Sequence, residues 1–264
     1  MYPYIHIFGK TIGSYAAASL IGFALCAAFI IRLCKKRGIA IEDVILLLVS
    51  VVTGIVVGGK ALYGLTNWKY ILSAFASFTD LKTLWSHLSA AFSGMVFYGG
   101  FLGSVAGVWI YTHICKTMDR AFALDLLAIA TPLFHAFGRI GCFLGGCCYG
   151  IPCSWGITVQ NNPVLPELNG VTRFPVQLIE AGCNLIIFAV LYLLFRRKER
   201  QFSLLSAYIF LYAPVRFILE FFRGDSIRGF LMGLSTSQWI SIALALGALI
   251  NVLFRRKQAV DRLS

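Results

Sequence analysis

Long apolar stretches constrain this sequence more than any other feature. The hydrocarbon core of a bilayer is about 30 Å thick, which about 20 helical residues can cross. Stretches of this length run from Thr11 to Ile31, from Gly94 to Cys115, from Phe174 to Phe195 and from Gly229 to Phe254. Charged residues make up 13% of the chain, against about 25% in soluble proteins. The sequence therefore predicts an integral membrane protein.

The first apolar stretch lacks the features of a cleavable signal peptide. We find no basic segment before it and no A-x-A cleavage site after it. We therefore expect it to remain as the first helix.

The basic residues occur in clusters, and their placement explains the formal net charge of +12. The clusters follow apolar stretches at every second connection and comprise Arg32, Lys35, Lys36 and Arg37; Lys116 and Arg120; Arg196, Arg197, Lys198 and Arg200; and Arg255, Arg256, Lys257 and Arg262. Lys and Arg accumulate on the cytoplasmic side of membrane proteins. This pattern predicts an outside N-terminus and a cytoplasmic C-terminus, and it excludes nucleic acid as a partner.

The apolar runs and their flanks predict an all-α chain of about seven transmembrane helices. The predicted spans are about 12–31, 43–65, 94–115, 121–138, 175–195, 203–222 and 235–254. We expect residues 1–264 to form a single polytopic membrane domain. The segments at about 66–93 and 139–174 are predicted to be long outside connections, and function is expected there because long loops in compact proteins usually carry it.

Charged and polar side chains interrupt three of the apolar regions. An ionised side chain at helix depth costs at least about 2.5 to 3.5 kcal/mol on insertion scales. The interrupting residues are Arg139 at a predicted outer helix end; Arg173, Gln177 and Glu180; and Arg216, Glu220 and Arg223. Each of these residues needs a partner or a function.

Two interpretations of these charges stay open. Arg216 and Glu220 are four residues apart, so they share a helical face and can form an internal ion pair, with Arg223 one turn further. Arg223, Asp225 and Arg228 can instead belong to a solvated loop. The alternative is convergence of the arginines at the outer leaflet, where a guanidinium matches phosphate with a bidentate fork. An anionic phospholipid headgroup is the nearest ligand of this kind.

Four of the eight cysteines are close together in the sequence, at Cys142, Cys147, Cys148 and Cys153. An outside location is compatible with a disulfide in an oxidising environment. Disulfide and free thiols are left as equal alternatives. A metal site is not predicted, because vicinal cysteines are poorly placed to bind one zinc ion tetrahedrally.

The segment GMVFYGGFLGSVAG contains glycines at a four-residue spacing, Gly99, Gly103 and Gly107. This spacing permits close packing between membrane helices. Tyr98 precedes the run, and it is either an interfacial anchor or a hydroxyl directed into a cavity.

Five segments in this order resemble the bacterial prolipoprotein diacylglyceryl transferases. They are IGSYAAASLIGF with KKRGIAIEDV, GMVFYGGFLG, GRIGCFLGGCCYG, RFPVQLIE and RFILEFFRGD, and LSTSQWIS near the end is also similar. The resemblance covers nearly the whole chain. It implies a multi-pass enzyme of the bacterial cytoplasmic (inner) membrane that needs no cofactor.

The resemblance also implies a reaction and its partners. The diacylglyceryl group of phosphatidylglycerol is transferred to the lipobox cysteine thiol of an exported prolipoprotein, at its signal peptide in the lipid bilayer. A thioether forms and glycerol 1-phosphate is released.

Site residues follow from the matched positions. Arg139, Arg216 and Glu220 are expected to hold the headgroup and stabilise the departing phosphate. Substrate binding is expected of a second set, Tyr15, Gly150, Gln177, Glu180 and Arg223.

The chain differs from the family pattern at three positions: Tyr98 replaces a histidine, Cys142 an asparagine and Cys147 a glutamate. A tyrosine is a weak base at neutral pH. His135, one turn before Arg139, is a candidate substitute base or a packing histidine, and Cys142 or Cys147 is a further candidate nucleophile. Two alternative functions remain at this point: transfer to a different acceptor, and a non-enzymatic lipid or solute transporter.

Overall fold

The computed structural model describes residues 2–7, 9–76, 80–197, 203–225 and 230–261, which are mostly helical. Its α-helices are α1 (Ser14–Lys35), α2 (Ile41–Thr66), α3 (Trp68–Ala76), α4 (Leu81–Ala91), α5 (Phe97–Ile114), α6 (Arg120–Gly145), α7 (Val176–Arg196), α8 (Leu204–Glu220) and α9 (Thr236–Asp261). Each predicted helix coincides with one of these. Five have the length and apolar composition to cross a membrane: α1, α2, α6, α7 and residues 236–253 of α9.

The chain divides into two compact units. The first comprises Met1–Phe29 and Ala128–Ser264, and the second comprises Ile30–Leu127. The boundaries between the units fall inside α1 and α6.

In the second unit, α2 and α5 pack closely through glycines. A Cβ atom on Gly103 would lie 2.0 Å from the carbonyl oxygen of Gly54, and one on Gly99 would lie 2.4 Å from the carbonyl oxygen of Gly58. Gly107 similarly lies against the backbone of Ser50. The predicted helix-packing role of the glycine run is confirmed, because any larger residue would separate the two backbones.

The segment at 66–93 was predicted to be a long irregular connection, and this prediction is wrong. It contains the short helices α3 and α4, which pack against each other. Asp80 caps α4 by accepting a hydrogen bond from the Lys82 backbone N–H at 3.1 Å. An aspartate in this position satisfies one of the free N–H groups at a helix start.

The prediction that Arg139 lies at a helix end is also wrong, because α6 continues to Gly145. The helix then ends in a Schellman motif with Gly146 in the left-handed conformation (φ 74°). The Cys147 N–H donates to the Cys142 carbonyl at 3.1 Å, and the Gly146 N–H donates to Phe143 at 3.3 Å. Arg139 is therefore held more than a turn inside the helix.

In the first unit, α1 packs on α6 and α7, and α8 packs on α7 and α9. Phe29 makes an edge contact with Phe188 at 5.3 Å between ring centroids. Gly22 lies against Phe137, where a Cβ atom would approach the side chain to 2.6 Å. Helix α8 contacts both α7 and α9. These contacts set the position of the polar residues of α8 along the axis of α7.

Short strands form three two-stranded antiparallel sheets: β1 (Tyr4–Ile7) with β2 (Lys10–Gly13), β3 (Pro152–Thr158) with β4 (Thr172–Arg173), and β5 (Phe230–Leu231) with β6 (Leu234–Ser235). The β3–β4 sheet and a 3₁₀ turn at Pro166–Leu168 give order to the segment after α6. Buried Asn162 holds this segment to the helix end, since its Nδ2 donates to the Gly146 carbonyl at 3.2 Å. The segment from β3 to β4 is therefore folded and packs against the C-terminal end of α6.

Candidate active site

Helix α6 carries His135 and Arg139 one turn apart on one face, and both side chains meet Glu180 of α7. Arg139 Nη2 lies 2.6 Å from Glu180 Oε2, and His135 Nε2 lies 3.7 Å from Oε1. Glu180 is 1% exposed. A carboxylate this deeply buried is tolerated only when it is paired. The Arg139–Glu180 ion pair therefore joins α6 to α7.

Tyr212 of α8 is a third partner of Glu180, and this contact was not predicted from the sequence. Its hydroxyl donates to Glu180 Oε1 at 2.9 Å, and its ring meets that of His135 edge-on at 5.2 Å. A signal was present in the sequence, since Tyr212 is four residues before Arg216 and so lies on the same helical face.

Arg216 and Glu220 of α8 form the predicted internal ion pair. Arg216 Nη2 lies 2.5 Å from Glu220 Oε2 and also donates to the Ser237 hydroxyl of α9 at 3.1 Å. Arg216 also interacts electrostatically with Glu180. Both arginines therefore interact with the carboxylate of Glu180, one from α6 and the other from α8.

We call Arg139, Glu180, Arg216 and Glu220 the charge cluster. Arg139 and Arg216 are 7% exposed. Within the described residues, Arg139 Nε and Arg216 Nη1 are buried and have no hydrogen-bond partner. Buried polar groups are nearly always satisfied in native proteins. Each guanidinium therefore retains a donor that an anionic ligand would satisfy.

Arg223 does not continue the helical face of α8, because that helix ends at Glu220. It forms a bidentate ion pair with Asp225, at 3.0 Å from Nε and 2.8 Å from Nη2. Both side chains are largely buried, so the interpretation of this region as a solvated loop is wrong for these two residues. Burial raises the pKa of the Asp225 carboxyl, and Arg223 opposes that shift. Arg228 lies outside the described residues.

Gly150 and Gln177 have contacts that hold the segment after α6 in place. The Gly150 carbonyl accepts from Arg173 Nη1 at 3.1 Å, and a Cβ atom on Gly150 would lie 2.2 Å from the Phe174 carbonyl oxygen. Gln177 Nε2 donates to the Cys147 carbonyl at 2.9 Å. Both residues therefore position the backbone next to the charge cluster.

The Sγ atoms of Cys142, Cys147 and Cys148 all lie within 4.8 Å of one another, and we call these residues the thiol cluster. Arg139 Nη1 contacts Cys142 Sγ at 3.8 Å, so the thiol cluster adjoins the charge cluster. Cys148 has a left-handed backbone (φ 57°). Vicinal cysteines were expected to be poorly placed around one ion, yet all three sulfur atoms lie close to one another.

Cys153 is apart from the thiol cluster. It lies in β3, where its thiol hydrogen-bonds to the backbone carbonyl of Trp155. All eight cysteines are in the described residues and are free thiols.

Tyr15 lies on the first turn of α1 and is 52% exposed. Its ring and backbone pack against Gly141, where a Cβ atom would lie 3.1 Å from Tyr15 Cδ2. Tyr15 is therefore next to Cys142 on the rim of the thiol cluster. Tyr98 belongs to the second unit, where it is buried on the first turn of α5 beside Phe97.

Comparison with known proteins gives a family for the chain. The family model for prolipoprotein diacylglyceryl transferase matches residues 3–254. The phosphatidylglycerol–prolipoprotein diacylglyceryl transferase of Clostridium tetani is 32% identical over 238 residues, which cover 89% of this chain and 90% of that protein. A second such protein, transferase 2 of Clostridium perfringens, is 30% identical over 97% of both chains.

A third relative, the phosphatidylglycerol–prolipoprotein diacylglyceryl transferase of Helicobacter hepaticus, is 30% identical over 91% of this chain and 82% of that protein. The matches span both compact units and include the charge cluster and the thiol cluster. The chain belongs to the prolipoprotein diacylglyceryl transferase family.

Proposed function

We propose that this protein transfers the diacylglyceryl group of phosphatidylglycerol to the cysteine thiol of a prolipoprotein signal peptide. A C–S bond forms while the thiol S–H bond and the glyceryl C–O bond to phosphate break; the proton passes to water and the C–O electron pair leaves with glycerol 1-phosphate. The observation that carries the proposal is the burial of two arginines from separate helices, Arg139 and Arg216. Each has an unsatisfied N–H, and both interact with Glu180. The names of relatives that are matched over 90% and 97% of their length support the same activity.

Arg139 and Arg216 are proposed to bind the phosphate ester and to stabilise the negative charge that develops on the leaving group. Preplaced donors of this type are worth about 3 to 4 kcal/mol each in a transition state. Their ion pairs keep them charged and oriented before substrate arrives.

The remaining polar residues are assigned to positioning. Glu180 and Glu220 hold the two guanidinium groups, and Tyr212 fixes the Glu180 carboxylate by its hydrogen bond. His135 faces the same carboxylate, which favours a positioning role over that of a base for the acceptor thiol. Tyr15 is assigned to substrate contact at the exposed rim.

We further propose a single membrane domain with seven crossings in the cytoplasmic membrane, an outside N-terminus and a cytoplasmic C-terminus. Helix α5 has 18 residues and α8 has 17, so they extend about 27 and 26 Å at 1.5 Å per residue, close to one bilayer core. Basic residues end α1 and α7 and connect α5 to α6, as the positive-inside rule requires of cytoplasmic connections.

The test uses purified protein in vesicles containing phosphatidylglycerol, with a lipobox peptide as acceptor. Mass spectrometry is expected to detect the diacylglyceryl thioether together with glycerol 1-phosphate. Arg139→Ala is expected to reduce the rate about 10²- to 10³-fold. Arg32→Ala, at an exposed arginine of the same chain, is the matched control and is expected to keep the rate.

The controls also separate the alternative functions. Release of glycerol 1-phosphate without peptide modification would indicate a different acceptor. No release in any condition would contradict the enzymatic proposal and favour a transporter. Full activity of Arg139→Ala would contradict the assignment of Arg139.

A further inference from the structure

We propose that Cys142, Cys147 and Cys148 bind one zinc ion, whose open fourth position binds the acceptor thiol and holds it as a thiolate. This inference rests on the proposed function and names the group that activates the acceptor.

The spacing of the three sulfur atoms suits a single thiophilic ion. Their Sγ atoms lie within 4.8 Å of one another. Thiolates at a Zn–S distance of about 2.3 Å are roughly 3.8 Å apart in a tetrahedral site. The largest separation of the sulfur atoms therefore exceeds that spacing by no more than about 1 Å.

The backbone around the thiol cluster is fixed from several directions. The Schellman motif ties Cys147 to Cys142, and Gln177 Nε2 donates to the Cys147 carbonyl at 2.9 Å. Asn162 holds the adjoining Gly146 carbonyl. Supporting hydrogen bonds of this kind orient metal ligands before the ion arrives.

Nearby cations compensate for the charge of such a site. Three thiolates and one divalent ion carry a net charge of −1. Arg139 Nη1 is 3.8 Å from Cys142 Sγ, and Arg223 interacts electrostatically with Cys148. Cys142 is buried, whereas Cys147 and Cys148 are not, so the site is partly buried and such compensation stabilises its charge.

Three protein ligands leave one coordination position for a substrate. Structural zinc sites usually have four protein ligands, whereas catalytic sites have three and an open position. Among the described residues, the group has three members, and the Cys153 thiol is directed to the Trp155 carbonyl.

The position of the thiol cluster fits the proposed reaction. When the acceptor thiol binds, a Zn–S bond forms and the S–H bond breaks, and the proton leaves to water. The bound sulfur then attacks the glyceryl carbon, and the C–O bond electrons leave with the phosphate ester at the arginines. Because Arg139 contacts both clusters, nucleophile and leaving group are brought together.

The binding test uses Co²⁺ alone as a spectroscopic probe, together with metal analysis of the purified full-length protein. One zinc per chain is expected, and replacement by Co²⁺ is expected to give thiolate charge-transfer bands. Cys147→Ser should lose the bands, whereas Cys153→Ser, the matched control outside the thiol cluster, should keep them. Co²⁺ bands that persist unchanged in Cys147→Ser, or a chain that binds no metal, would overturn the inference.

The activity test separates this inference from the proposed function. A chelator is expected to lower thioether formation by at least about tenfold, and added Zn²⁺ is expected to restore it. Thioether formation by metal-free protein would overturn the zinc site and leave the transferase activity standing. If one zinc ion binds through Cys147 but no thioether forms, two claims fail together. These are the proposed transferase activity and the proposed binding of the acceptor thiol by the zinc ion. Thiol titration that finds a disulfide between two of the three cysteines in the active enzyme would also overturn the inference.

Discussion

The α2–α5 contact of the second unit and the charge cluster of the first unit hold helices together in opposite ways. The α2–α5 contact depends on glycines, because the backbones are so close that a Cβ atom on Gly103 would lie 2.0 Å from the carbonyl oxygen of Gly54. In the charge cluster, the buried Arg139–Glu180 ion pair joins α6 to α7, and the Tyr212 hydrogen bond joins α8 to Glu180. Buried ion pairs often contribute little to stability compared with apolar packing. This difference favours a functional explanation for the charge cluster and a packing explanation for the glycine contact.

Glu180→Ala is expected to have the largest effect on this comparison. Removal of one partner leaves Arg139 buried and unpaired, which costs about 3 to 5 kcal/mol of folding free energy. The double variant Arg139→Ala with Glu180→Leu should recover most of that stability but no transferase activity. Thermal unfolding in detergent and the thioether assay measure the two quantities. Recovery of activity in the double variant would mean that the cluster has only a structural role.

Gly103→Leu is expected to have the next largest effect, and to act on stability alone. The side chain would push α2 from α5, and overpacking of this kind costs about 1 to 3 kcal/mol. Gly182→Leu in α7 is the matched control, because a Cβ atom there meets no described atom within 4 Å. Activity per folded molecule should be unchanged at a temperature where the variant is folded. Equal unfolding temperatures for both variants would contradict the close-packing interpretation.

Tyr212→Phe tests the support of Glu180 with a smaller change. It removes one hydrogen bond to a buried carboxylate, and such bonds are worth about 1.5 to 3 kcal/mol. We expect roughly a tenfold or greater fall in kcat with a smaller change in the KM for phosphatidylglycerol. Tyr208→Phe on the same face of α8 is the comparison variant. Loss of stability with unchanged kcat would assign Tyr212 to folding rather than to positioning.

Ser237→Ala should have the smallest effect of the four. It removes the hydroxyl that accepts from Arg216 at 3.1 Å, while the Arg216–Glu220 ion pair remains. A net hydrogen bond is worth about 0.5 to 1.5 kcal/mol, so the rate should fall only a few-fold. A loss as large as that of Arg139→Ala would show that Ser237 does more than orient Arg216.

Most helices could be predicted from the sequence because long apolar runs leave few alternatives in a membrane. The ends of the helices were harder. The glycine-rich sequence after Arg139 resembles a turn, but α6 continues to Gly145, and the left-handed residue is Gly146. Helices α3 and α4 were missed because they are short and lie in a segment that lacks a long apolar run.

At the site, candidate residues could be named from the sequence, but most of their partners could not. The Arg216–Glu220 ion pair was predictable because its members are four residues apart on one helix. The pairing of Arg139 with Glu180 was not, because the two residues are on different helices and far apart in the chain. Tyr212 was overlooked for a related reason, since its importance depends on a contact with α7.

By itself, the sequence determined the membrane class, the order of the helices and the cost of placing arginine and glutamate within them, because these depend on composition and local spacing. Tertiary structure alone decided which charges share a carboxylate and that three cysteines, two of them adjacent in the chain, bring their sulfurs together. Those contacts depend on the packing of α6 against α7 and on the backbone turn after Gly145, and no local pattern encodes the distances between separate helices.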